Sequence, residues 1–199
     1  MTRLLKISLV VILFFLINNF PVEGQVIINS NELENCYCDS SINNLKLESD
    51  LSLFLNNMQF DNCDPDCRKT YFNADKTEIL ELFFYPGRII NHCSYFRVAM
   101  ASSQLPSNYE QLTDDHFISG SGIKLLDSLN KVESLFINEI FTIEQNENFT
   151  ILMYDGSKQI ESSCKTYLEN RNIHLTLYRS KFTFENNILI DFEFGYIYP

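Results

Sequence analysis

Tryptophan is absent from this chain, and histidine, proline and glycine are scarce, at 3, 5 and 6 residues in 199. The three histidines, at 92, 116 and 174, have no nucleophile or metal partner near them, and no His-Glu-x-x-His spacing occurs. No Gly-x-Ser-x-Gly elbow, phosphate loop or dinucleotide fingerprint is present; Ser119-Gly120-Ser121-Gly122 is too short and follows no clear strand. Catalysis is therefore not expected. Positive charge is also short, with 15 Lys and Arg against 26 Asp and Glu. Such a chain repels phosphate backbones, which argues against a nucleic-acid partner. No internal repeat or low-complexity segment stands out.

Long apolar runs are confined to the start of the chain. Arg3 and Lys6 precede an uncharged apolar run at 7–17, and Val22-Glu23-Gly24 offers a cleavage site, so residues 1–24 read as an export signal. A bilayer span needs about 20 apolar residues, which that run does not reach, and no membrane anchor is expected. Residues 25–199 are the size of one globular domain, with a net charge of −12 from 13 Lys plus Arg against 25 Asp plus Glu. The protein is expected to be secreted. Its six cysteines, Cys36, Cys38, Cys63, Cys67, Cys93 and Cys164, are even in number, and in an oxidising compartment they predict three disulfides of unassigned connectivity.

Periodicity predicts alternating helices and strands. Leu47, Leu51, Phe54, Leu55 and Met58 recur at helical spacing after Asn43 or Asn44 as cap, and Leu125, Leu129, Val132, Phe136 and Ile140 form a second helical stripe. Residues 59–77 look like a polar stapled loop, within a Cys-containing insertion around 59–92. Residues 79–85 and 95–101 are strand candidates. Residues 149–154 are nearly all apolar and end at Asp155-Gly156, as in a strand covered on both faces; helical spacing follows at 157–170 and a strand at 173–178. That order predicts an α/β fold, a mostly parallel central sheet flanked by helices. Alternating Ile188, Ile190, Phe192, Phe194, Tyr196 and Tyr198, after a turn at Glu185-Asn186-Asn187, add a C-terminal antiparallel hairpin.

Two kinds of polar site stand out. Asn148-Phe149-Thr150 is a glycosylation sequon, so Asn148 is expected at the surface. Asp39, Ser41 and Asn43 are spaced two apart before a predicted helix, and Asp155 ends a strand. At the carboxyl edge of an open sheet, Asp39, Ser41 and Asp155 could together supply oxygen ligands to Mg²⁺ or Ca²⁺. As turn and cap residues they would have no such role.

The order of elements between Tyr95 and Tyr178 resembles a divergent von Willebrand factor A-type domain. Residues 95–100 resemble the family's strand after its first helix. Residues 119–122 resemble its glycine-rich turn, 149–156 its buried strand ending in Asp-Gly, and 168–173 a helix-to-strand junction. Members are extracellular binding modules with a doubly wound sheet, many completing a metal ion's coordination with a ligand carboxylate. Here Asn43 and Ile123 stand where the family places a serine and a threonine, which implies a degraded site. The resemblance thus implies a non-catalytic, metal-independent module for an extracellular protein or glycan, with no cofactor. The rival expectation is a lipocalin-like β-barrel carrying a small apolar ligand, although the tryptophan usual near the start of that family is missing. A hydrolase using Asp39 and Asp155 is a third.

Overall fold

The computed structural model describes residues 37–49, 51, 67–84, 92–102, 109–136, 139–159 and 177–197, all within one compact unit, Leu33–Pro199. Among the described residues ten strands form: β1 Ser41–Ile42, β2 Leu45–Lys46, β3 Cys67–Phe72, β4 Glu78–Phe84, β5 Cys93–Met100, β6 Glu110–Gln111, β7 Phe141–Gln145, β8 Phe149–Asp155, β9 Tyr178–Glu185 and β10 Ile188–Tyr196. β1 and β2 make a separate two-stranded ribbon. The other eight share one sheet in the order β6-β3-β4-β5-β10-β9-β8-β7. All of its pairings are antiparallel except β3 with β6. Two meanders, β3-β4-β5 and β7-β8-β9-β10, therefore meet along β5 and β10.

The expected α/β architecture is overturned. Short hairpins join β3 to β4, β7 to β8 and β9 to β10, and hairpins can connect only antiparallel neighbours, whereas parallel strands need a crossover of a dozen or more residues. Strand β8 alternates, with Thr150, Leu152 and Tyr154 buried and Ile151, Met153 and Asp155 half-buried, so it has one core face rather than two. Cys67–Phe72, expected within a stapled loop, forms β3.

Of the three predicted helical segments, the first two are not continuous helices over their described residues, and residues 160–170 of the third lie outside the described residues. Asn43 (φ 48°) and Glu48 (φ 57°) turn the first segment back on itself, giving the ribbon; residues 52–58 of that predicted helix lie outside the described residues. Among the described residues of the second segment, only α1 Leu129–Glu133 and a 3-10 turn at Ser134–Phe136 are helical. Leu126 has φ 71°, and residues 126–129 bond to the start of β10: Leu126 N to Leu189 O at 2.9 Å, Leu189 N to Asp127 O at 2.9 Å and Leu129 N to Asn187 O at 3.0 Å. Peptide groups so engaged cannot also make helical bonds. The stripe still reaches the core through Leu125, Val132 and Phe136, but Ile140 is exposed.

The cysteines depart from three bridges. Cys38 and Cys93 are free, and Cys67 is disulfide-bonded. Cys93 is buried, its thiol donates to Tyr95 O at 3.2 Å, and burial pushes it up to about 12, which leaves it an inert apolar side chain. Cys36, Cys63 and Cys164 lie outside the described residues, as do residues 1–24.

The sheet's inner face is aromatic. Phe192 stacks on Phe182 and on Phe194 with centroids 6.4 Å apart in each case, and Phe96 meets Phe194 edge-on at 5.6 Å. Irregular chain covers this face, through Ile42, Leu45, Leu47 and Leu51 on one side and Phe117, Ile123, Leu125, Val132 and Phe136 on the other. Tyr37 seats the first segment, its ring 4.5 Å from Phe136 and 5.9 Å from Tyr154 and Phe182. A bulge between Leu189 and Asp191 shifts the C-terminal alternation, so Leu189 rather than Ile188 enters the core.

The outer face carries cross-strand charges. Arg97 donates to Glu81 at 2.9 Å and to Asp191 at 2.5 and 2.8 Å; Arg68 pairs with Glu81 at 3.2 Å and Arg179 with Asp155 at 2.9 Å. Beside them Tyr95 lies over Gly195, which has φ +144°; a Cβ there would come within 2.3 Å of Ser94 O and 2.7 Å of Tyr95 Cα. Gly195→Ala should therefore cost at least about 2–3 kcal/mol, backbone strain plus overlap. Gly122→Ala, also at positive φ (+79°) but with nothing within 4 Å of the added Cβ, should cost only about 1 kcal/mol. Urea unfolding of both variants checks the difference.

Candidate functional site

The ribbon is fixed to the segment at 116–120 from both ends. Asn43 N donates to Ile118 O at 2.8 Å, Gly120 N to Ser41 O at 3.0 Å, and Ile42 bridges Ser119. The Asn43 side chain locks the contact, Nδ2 donating to His116 O at 3.1 Å and Oδ1 accepting from Ile118 N at 2.9 Å. An asparagine expected to cap a helix is thus spent on a neighbouring loop. That use also explains why φ is positive there: asparagine tolerates the left-handed region better than other side chains except glycine.

Two buried polar residues strap the same segment to the β3–β4 hairpin. Asn73 Nδ2 donates to Asp115 O at 2.8 Å and Thr77 Oγ1 at 3.1 Å, while its Oδ1 accepts from Glu78 N at 2.8 Å. Glu78 accepts from Phe117 N at 2.9 Å, and its other oxygen lies 2.7 Å from His116 Nδ1. Backbone bonds from Ala74 N to Asp114 O at 2.9 Å and from Leu112 N to Phe72 O at 2.8 Å complete the strap.

Between ribbon, strap and β4 lies a cleft of about 160 Å³. Ile42, Leu45, Leu80, Leu112 and Phe117 give it an apolar floor. Asn43, Asn44, Thr113 and Asp114 form the polar rim, Asp114 being the one charged residue of the lining.

Of the residues singled out for a cation, Asp39 and Ser41 share a turn and Asp155 pairs elsewhere. Asp39 is buried; its Oδ1 accepts from Ser121 N at 2.6 Å and its carbonyl accepts from Tyr178 Oη at 2.9 Å. Ser41 joins it at the same turn, since a Cβ on Gly120 would stand 2.9 Å from Ser41 Oγ and 3.3 Å from Asp39 Oδ1. Asp155 is not brought to them. It leaves β8 on the face opposite Tyr154, accepts from Ser157 N at 2.9 Å and Ser157 Oγ at 2.6 Å, and pairs with Arg179. Among the described residues no group of three or more His, Cys, Asp or Glu is placed to hold a metal ion. Asn148 is exposed at the tip of the β7–β8 hairpin.

Near Asp39 the core turns polar. Tyr37, Asp39, Glu139, Tyr154 and Ser180 each bury one oxygen with no hydrogen bond among the described residues. Glu139 accepts from Tyr37 N, tying the first described segment to the stretch before β7. Burial pushes Glu139 up to about 7, with Tyr154 opposing, and burial also raises Asp39 against the hydrogen bonds from Ser119 and Ser121. Desolvation penalises the charged form.

Sequence reasoning missed Asn73, Glu78 and Asp114. The turn residues Asn73-Ala74-Asp75 between two runs of strand-forming residues were the available signal for a hairpin. Comparison with protein-family models, curated proteins and solved structures finds no match to this chain.

Two outcomes follow from this geometry. Asn73→Ala leaves the buried Glu78 N–H and the part-buried Asp115 carbonyl without this partner and should cost about 2 kcal/mol in urea unfolding. For Glu139 the folded form binds a proton up to about pH 7, above its ordinary value of 4.5. Its contribution to stability is thus fullest in acid and is lost as pH rises toward 7. Thermal melts at intervals from pH 5 to 8 should show wild-type stability falling, and Glu139→Gln, which keeps an acceptor for Tyr37 N, falling less.

Proposed function

We propose that this domain is an extracellular, non-catalytic protein-binding module that seats one partner side chain in the cleft beside the ribbon. The observation that carries this is a cleft whose walls are set in advance by buried hydrogen bonds from Asn73 and Glu78. A preformed pocket for one anchor is how many interfaces concentrate their binding energy. Its volume, 160 Å³, is about half the lower end of the ~300–1,000 Å³ usual for small-molecule sites. Binding is metal-independent in this proposal, consistent with the engagement of Asp39 at the 119–122 turn and of Asp155 with Arg179. A carrier of a small apolar ligand is the second reading, which the antiparallel sheet favours and the size of the cleft disfavours.

The test is a heteronuclear NMR titration with N-acetylnorleucinamide, an isolated four-carbon side chain. Burying such a chain stabilises by about 1.5–3 kcal/mol, a dissociation constant on the order of 10 mM or weaker. The backbone amides of Leu45, Leu80 and Phe117 should shift, and Thr113→Trp at the exposed rim should abolish the shifts. Absence of shifts at the cleft, with the fold intact, sinks the proposal.

A further inference from the structure

We infer that the side chain taken by the cleft is a cationic amphiphile, a lysine or arginine of a basic partner segment, its aliphatic stem on the floor and its charged head at Asp114. This rests on the reading of the cleft as a side-chain pocket. Long basic side chains lay their methylenes along apolar surface while the head stays in a polar, wet environment, and the cleft offers both zones. Leu112, half-buried, and the edge of Leu45 supply the apolar one, over the buried Leu80 and Phe117.

Asp114 supplies the counter-charge. Its main-chain carbonyl is spent on Ala74 N, whereas its carboxylate makes no hydrogen bond or ion pair among the described residues. The basic residues of the flanking turns, Lys46 and Lys76, form no ion pair with it among the described residues. The surroundings deepen the negative potential. Glu110, Asp115 and Asp75 are exposed on the same pair of segments, which the Gln111 side chain joins through Ala74 O. The whole chain carries −11, so long-range attraction and the local pairing favour the same sign of partner.

The experiment compares N-acetyllysinamide with N-acetylnorleucinamide, which share a four-carbon stem and differ by the terminal ammonium. Both are titrated against wild type and Asp114→Asn by NMR at about 20 mM and about 500 mM salt, spanning strong to weak screening. The lysine analogue should bind about threefold more tightly to wild type at low salt, as expected for a half-exposed ion pair. The advantage should vanish in Asp114→Asn and shrink at high salt. Equal or tighter binding of norleucinamide to wild type overturns the cationic assignment while leaving the side-chain pocket standing. A lysine advantage that persists in Asp114→Asn overturns it too, because it would reflect the overall charge. Failure of both compounds to shift the cleft overturns the pocket itself. Asp114→Asn keeps the backbone bond to Ala74, and its dispersed amide spectrum confirms the fold.

Discussion

A peptide group that leaves a sheet to cover its apolar face takes its hydrogen-bonding demand with it, and burial without a partner is costly. Everything on the inner side of this protein answers to that constraint. Among the described residues the cover over Phe96, Phe182, Phe192 and Phe194 is irregular chain with one short helix, so most of that backbone cannot satisfy itself internally. Side chains do much of it instead. Asn43, Asn73, Glu78 and Asp39 each reach backbone groups of a distant segment. The cleft is a by-product of those ties, because the chain held by Asn43 and the chain held by Asn73 are kept apart over Leu80.

The two faces solve opposite problems. Inside, aromatic rings fill volume and the polar groups near Tyr37 and Glu139 are desolvated, which makes their charged forms unfavourable. Outside, Arg97 bridges Glu81 and Asp191 on the strands at either side, neighbours in the sheet but far apart in sequence. Exposed pairs contribute little each, though a guanidinium shared between two carboxylates fixes register as well as charge. Gly195 beside Tyr95 serves the same seam between β5 and β10 by letting β5 approach closer than a Cβ would permit.

Local signals in the sequence were readable where local chemistry decided the outcome. The Asn186-Asn187 turn, with φ of 50° and 63°, matches a two-residue hairpin loop that needs both residues left-handed, and the strands flanking it follow from alternation. Strands near 79–85 and 95–101 were legible for the same reason. The helical stripes misled because period alone does not say where backbone bonds go: Leu125, Val132 and Phe136 do face the core, while the peptides of 126–129 pair with β10. The parallel sheet was inferred from the order strand, helix, strand over 149–178, and that inference failed because β8 and β9, its two strands, pair antiparallel. The cleft was hidden because Leu45, Leu80 and Asp114 come from three distant stretches and only long-range pairing brings them together.

The seam has a kinetic side. Each meander joins through neighbours close along the chain, but Phe96 meets Phe194 and Arg97 meets Asp191 across nearly half the polypeptide. Closing so long a loop is entropically slow and goes unrewarded until both partners are already formed. Pairing of β5 with β10 is therefore the contact that topology makes slowest to form, and until it forms both strands keep an open edge.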